Sequence, residues 1–200
     1  MVTVVLSLSF TARAQSLTGA VAKSPQRTED AQLFRNTTFG FRYQIPYGWV
    51  DRTEAMKTEA MKEGVEAGKA ELLLATFEHP TEATGDNINS AVIIASESTA
   101  SYPGFRNAED YVGPLTEVAT AKGFKPDGEP YVLEVESRQL LRVDFIKTVS
   151  DKLSLSMRQC TLVMLSKGQI VSFTFIAGSE DELDDLMDGL HFSAARSPAH

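Results

Sequence analysis

Cysteine occurs once in this 200-residue chain, tryptophan once and histidine three times. One cysteine excludes an intramolecular disulfide, and three scattered histidines do not make a His-rich metal site. The fold must therefore rest on apolar burial, for which a chain of this length has room in one sizeable domain. Long apolar runs are also missing, and none approaches the ~20 residues that cross a bilayer. Positive charge is in deficit: 19 Lys+Arg face 27 Asp+Glu, a formal net charge of −8. That balance argues against nucleic acid or anionic lipid as the main partner, since both require a basic face. Walker, dinucleotide-glycine, HExxH, CxxC and GxSxG patterns are all lacking. No cofactor is expected, and no catalytic or metal-ligating set emerges.

What is present begins with an address. Val2 to Phe10 form a short apolar run, and Ala12-x-Ala14 follows it with the small residues that signal peptidase requires. This predicts export, with cleavage before Gln15 and a signal over residues 1–14. No Lys or Arg precedes the run, so the signal is expected to be truncated at Met1. The alternative is a buried N-terminal strand, because Val-Thr-Val-Val has β character. Residues 15–32 read as a flexible linker, 33–192 as the folded domain, and 193–200 as a tail.

Within the domain, Phe39, Phe41, Tyr43 and Ile45 alternate with polar residues, the period of a half-buried strand. Leu33-Phe34-Arg35 predicts a short strand before it. A tandem repeat follows, Thr53-Glu54-Ala55-Met56-Lys57 and then Thr58-Glu59-Ala60-Met61-Lys62, with helical composition. Its five-residue period sets Met56 and Met61 about 140° apart around a helix. Strands are predicted at 71–78 and 89–96, then a helix from Asn107 to Lys122, kinked or restarted at Pro114. Further strands are expected at 131–135, 141–145, 153–165 and 169–176, with Lys167-Gly168 as a tight turn. The last helix runs from a Ser179/Glu182 capping box, with Leu183, Leu186, Met187 and Leu190 on one face and His191 at its C-terminal end. The order predicts an α+β fold, a mainly antiparallel twisted sheet with helices packed on it.

Three segments in this order resemble a known fold family. They are Asn36-Thr37-Thr38-Phe39-Gly40-Phe41 leading to Ile45-Pro46-Tyr47-Gly48-Trp49, then Lys167 to Phe175, then Ser179 to Leu183 continuing to Gly189-Leu190-His191-Phe192. Together they resemble the PsbP/Mog-like α/β/α sandwich, including DcrB-related bacterial envelope proteins. The resemblance implies a single-domain, non-enzymatic protein that works by binding something, and carries over no functional residue. The duplicated segment, and the lack of a lipoprotein cysteine, depart from the pattern.

Candidate sites are few. Glu180, Asp181, Glu182, Asp184, Asp185 and Asp188 form an acidic ridge, read first as solvated surface and otherwise as a dock for a basic partner. Met56 and Met61 suggest a soft apolar contact or lid. The candidate interaction surface is therefore Glu180, Asp181, Asp184, Asp185, Asp188, Met56 and Met61. Cys160 reads as a buried, inert thiol. His79 and His191 read as surface or capping residues, and Glu78, His79 and Asp86 as a remote possibility for a cation.

The function expected is a non-catalytic binding or accessory module exported to the periplasm or beyond, whose partner is another envelope protein. One alternative is a carrier of a small apolar ligand, which needs an apolar pocket of about 300 Å³ or more beside Met56 and Met61. The other is a hydrolase with a dispersed site, which needs His79 or His191 brought beside carboxylates in a pocket.

Overall fold

The computed structural model describes residues 32–62, 70–80, 88–150 and 155–192. The expected signal, the tail and nearly all of the linker lie outside the described residues, as does Asp86.

Eleven strands and three α-helices are described. In chain order they are β1 (Leu33–Asn36), β2 (Phe41–Gln44), β3 (Val50–Asp51), α1 (Thr53–Lys62), β4 (Ala70–Phe77), β5 (Ala91–Ser98), α2 (Val112–Ala121), β6 (Lys125–Pro126), β7 (Tyr131–Val135), β8 (Arg138–Ser150), β9 (Leu155–Ser166), β10 (Gln169–Ala177), α3 (Glu180–Asp188) and β11 (Leu190–Phe192). The large sheet has the order β3-β4-β5-β10-β9-β8-β6, with β7 also paired to β8, and every pairing is antiparallel. A second sheet, β1-β2-β11, is antiparallel too. The fold is α+β, as the order of elements predicts.

Alternation along each strand divides the large sheet's side chains between two faces. On the front face Leu74, Ile94, Cys160, Leu162, Phe173 and Phe175 meet Phe41, Tyr43 and Phe192 of the small sheet and Leu183 and Leu186 of α3. Phe173 takes Phe41 and Phe192 edge-on, with Phe41 at a centroid distance of 5.0 Å. On the back face Tyr111, Leu115, Ala119 and Phe124 cover Leu141, Val143, Phe145, Val163 and Ile170. Farther along that face Met56 of α1 packs on Ala75, Phe77 and Ala91. The result is three layers: small sheet and α3, large sheet, α1 and α2.

Local chemistry explains the breaks. Lys167 and Gly168 both have positive φ, the backbone of a two-residue hairpin between β9 and β10. The single helix expected over 107–122 is divided. Asn107 and Asp110 close a capping box on a 3₁₀ turn, Ala108–Tyr111, and α2 restarts at Val112. Pro114 is the third residue of α2, where its missing N–H has no intrahelical acceptor to lose. The last helix also stops earlier than its apolar spacing suggests. Leu190 and His191 belong to β11, so His191 is a strand residue rather than a helix terminus. The chain turns at Gly189, where a Cβ would stand 3.0 Å from both the Gln44 carbonyl oxygen and the Tyr43 ring. Only glycine lets β11 approach β2 so closely.

Candidate functional site

α3 is anchored before it is charged. The Ser179 hydroxyl accepts the Glu182 N–H at 3.2 Å, and Glu182 Oε2 accepts the Gly178 N–H at 3.0 Å. Glu182 Oε1 also accepts the hydroxyl proton of buried Ser90, at the start of β5. Glu182 therefore joins the helix to the sheet, leaving Glu180, Asp181, Asp184, Asp185 and Asp188 to form an exposed outer face. Of these five, Asp184 alone lies near a cation among the described residues, 3.9 Å from the Arg142 guanidinium. Arg142 is itself held by Asp144 at 2.9 Å.

The two methionines do not belong to that surface. Met56 is 5% exposed and Met61 is 69% exposed. The angular separation expected from the repeat turns one inward and the other to solvent. Moreover, α1 covers the back of the large sheet while α3 covers its front. The seven candidate residues thus form no single patch, and Met56 is corrected to a core residue.

A cleft of about 330 Å³ opens beside the N-terminus of α3, lined by Glu78, His79, Ile88, Ser90, Leu155, Gly178 and Glu182. Neither methionine lines it, so it is not the apolar pocket that the carrier reading requires. Asn89 fixes its rim: its side chain accepts the His79 N–H at 2.9 Å and donates to the His79 carbonyl at 3.1 Å. His79 Nε2 stands 3.6 Å from a Glu78 carboxylate oxygen. The histidine and carboxylates needed for a hydrolase do meet here. The Ser90 hydroxyl donates to Glu182, and no hydrogen bond joins His79 to a hydroxyl or thiol among the described residues. No trio of His, Cys, Asp or Glu among the described residues is arranged to hold a metal ion.

His191 gains a partner that sequence proximity does not reveal. Its Nδ1 lies 3.0 Å from Glu136 Oε1, and Glu136 Oε2 accepts the Phe192 N–H at 2.8 Å. That backbone hydrogen bond, followed by His191, holds the Glu136 carboxyl below its ordinary value. Glu136 adopts positive φ at the β7–β8 turn, an uncommon conformation for a residue with a Cβ. The carboxylate spans from the large sheet to the small one. Cys160 is fully buried, its thiol 3.5 Å from Met187 Sδ, and burial pushes its pKa far up, away from a nucleophilic thiolate.

A further feature went unread in the sequence. In the small sheet Arg35 stands opposite Arg42, and Arg42 opposite His191. Cross-strand partners share a face, and here the inward face belongs to Phe41, Tyr43 and Phe192. The three basic residues form a row on the outer surface of the layer that also carries α3. Each Arg stands next to an inward aromatic, Arg35 beside Phe34 and Arg42 between Phe41 and Tyr43, and that alternation was the available signal. What alternation omits is register.

No protein-family model and no curated protein matches this sequence. Solved structures do resemble it. Cyanobacterial PsbP from Synechocystis sp. PCC 6803 superposes with a TM-score of 0.51 at 11% identity, over 86% of this chain and 99% of that one. The Ran-binding protein Mog1p of Saccharomyces cerevisiae gives 0.43 at 9% identity, over 82% and 96%. LpqN of Mycobacterium tuberculosis, described as involved in cell envelope biogenesis, gives 0.37 at 14% identity, over 74% and 76%. The cyanobacterial likeness carries the fold, and at this identity it carries the fold alone.

Proposed function

We propose that this chain of PsbP/Mog-like fold is a non-catalytic accessory module of the bacterial cell envelope, which docks a protein partner on the outer face of α3. The observation that carries the reading is the five exposed carboxylates on α3, only one of them within 4 Å of a cation among the described residues. Such a surface attracts a basic patch and accelerates its encounter. In the cleft beside it, no hydrogen bond among the described residues joins His79 to a hydroxyl or thiol. Export is inferred from the signal-like Val2–Ala14 segment, and none of the described helices is long and apolar enough to cross a membrane.

The test is crosslinking in intact cells of the native host, using a C-terminal tag. One dominant envelope protein is expected in the wild type, and its capture should fall when Asp181, Asp184, Asp185 and Asp188 are changed to Asn. N-terminal sequencing of the recovered chain is expected to begin at Gln15. Capture that is indifferent to the four substitutions, or a chain retained in the cytoplasm, would overturn the reading.

A further inference from the structure

The small sheet carries a cost that its fold does not require. Like charges directly opposite on antiparallel strands repel, yet Arg35 stands opposite Arg42, and Arg42 has His191 on its other side. The chain has acidic residues in excess, and even so neither Arg35 nor Arg42 has a carboxylate within ion-pair distance among the described residues. Glu136 does approach from the β7–β8 turn. However, its two oxygens are engaged by His191 and the Phe192 N–H, and Arg42 acts on it only as a weaker, more distant charge. The basic row is left facing outward.

Its complement lies in the same layer. α3 leads through Gly189 directly into β11, and the Gln44 N–H donates to the Gly189 carbonyl at 2.9 Å. The Tyr43 hydroxyl donates to the Leu186 carbonyl at 3.1 Å, tying helix and small sheet side by side. With Leu183 and Leu186 buried, Asp181, Asp185 and Asp188 fall on the opposite side of the helix, at i, i+4 and i+7. Seven residues of helix rise about 10 Å. The row Arg35–Arg42–His191 crosses two strand spacings, also about 10 Å. A basic row and an acidic stripe of equal length thus stand beside each other on one face.

We infer that two copies of this chain associate through that face, the Arg35–Arg42–His191 row of each against the Asp181–Asp185–Asp188 stripe of the other. A two-fold axis between row and stripe makes both contacts at once, which is the geometry of an isologous dimer. The overall negative charge opposes approach at long range. At physiological ionic strength that repulsion is screened beyond about 8 Å, while opposed charges in contact are screened less. The inference rests on the reading of α3 as a docking surface and assigns that surface an occupant.

Sedimentation velocity of the full chain in about 0.15 M salt tests it. The wild type is expected to sediment as a dimer at concentrations where Arg35→Glu/Arg42→Glu and Asp181→Lys/Asp185→Lys/Asp188→Lys each sediment as a monomer. An equimolar mixture of the two variants is expected to restore the dimer, because row and stripe have exchanged sign in different copies. If circular dichroism shows that a multiple reversal has lost its fold, Arg42→Glu and Asp185→Lys make the same mixture. A wild type that stays monomeric, a dimer that survives both reversals, or a mixture of folded variants that stays monomeric overturns the inference. If any of these occurs while capture of another envelope protein still depends on α3, the dimer alone is refuted. If that capture also fails, both readings go.

Discussion

Thr76 is fully buried in β4, and its hydroxyl has no hydrogen-bond partner among the described residues. It pairs across the sheet with Val92 and shares the front face with Leu74. A buried hydroxyl without a partner has given up its water for nothing. Thr76→Val keeps the shape and removes the penalty, so it is expected to raise unfolding stability by ~1 kcal/mol. Urea denaturation with an unchanged slope checks it, and a loss of stability would show that the hydroxyl is satisfied. The buried tyrosines differ. Tyr111 and Tyr102 both donate to the Glu97 carboxylate, and Tyr43 reaches the Leu186 carbonyl. Burial raises the pKa of all three phenols, keeping them as donors. Strand and helix spacing mark Tyr43 and Tyr111 as inward-facing from sequence alone. Their partners, 143 and 14 residues away, cannot be read there.

Among the elements, α1 shows what composition conveys and what it omits. Its Ala, Glu, Met and Lys content predicts a helix, and a helix forms. Which methionine faces inward depends on how its first turn is fastened to the sheet. The Thr53 hydroxyl donates to Asp51 Oδ1 and accepts the Ala75 N–H, while the Arg52 N–H donates to the Ala75 carbonyl. These bonds continue the β3 pairing into the helix and fix its rotation. Met56→Ala is therefore expected to cost about 2–3 kcal/mol, whereas Met61→Ala should stay within about 0.5 kcal/mol. Equal losses for the two would mean that α1 turns another face to Ala75 and Phe77. The α3 region was more legible, because the Ser179 cap and the apolar spacing agree, although Glu182 accepts the Gly178 N–H rather than the Ser179 N–H that a full capping box needs. Its end was misplaced, since apolar spacing does not show that Leu190 is buried from a strand.

At the scale of the molecule, the Glu136 carboxylate holds the front layer to the large sheet through His191 and Phe192. Its ordinary carboxyl value of 4.5 is lowered on folding, chiefly by the Phe192 N–H. A depressed folded value contributes stability above the unfolded value and loses it as pH falls through the folded one. The wild type is therefore expected to be more stable than Glu136→Gln at neutral pH, with the gap narrowing as pH falls below about 4.5. Asp110, lowered chiefly by the Arg106 N–H, titrates in the same sense in both proteins and leaves that difference unchanged. Unfolding midpoints from neutral to acid pH read the gap, and a constant difference would refute the brace. The same brace stands at the end of the basic row, so the proposed dimer contact and the acid-sensitive brace meet at one place on the front layer.

The sequence by itself determined the strand periods, the capped acidic helix, the tight Lys167-Gly168 turn and the inert Cys160, because each depends on neighbours a few residues away. It also determined the α+β order of the elements, and through three short segments the resemblance to the fold. Only the tertiary structure decided which sheet face each helix covers, and so which methionine is core. It alone brought Glu136 to His191 across 55 residues and Tyr43 to Leu186 across 143. It alone set Arg35, Arg42 and His191 in line. Periodicity records which side of a strand a residue occupies, but not the strand or register it will face, and those are fixed when distant apolar surfaces pack together.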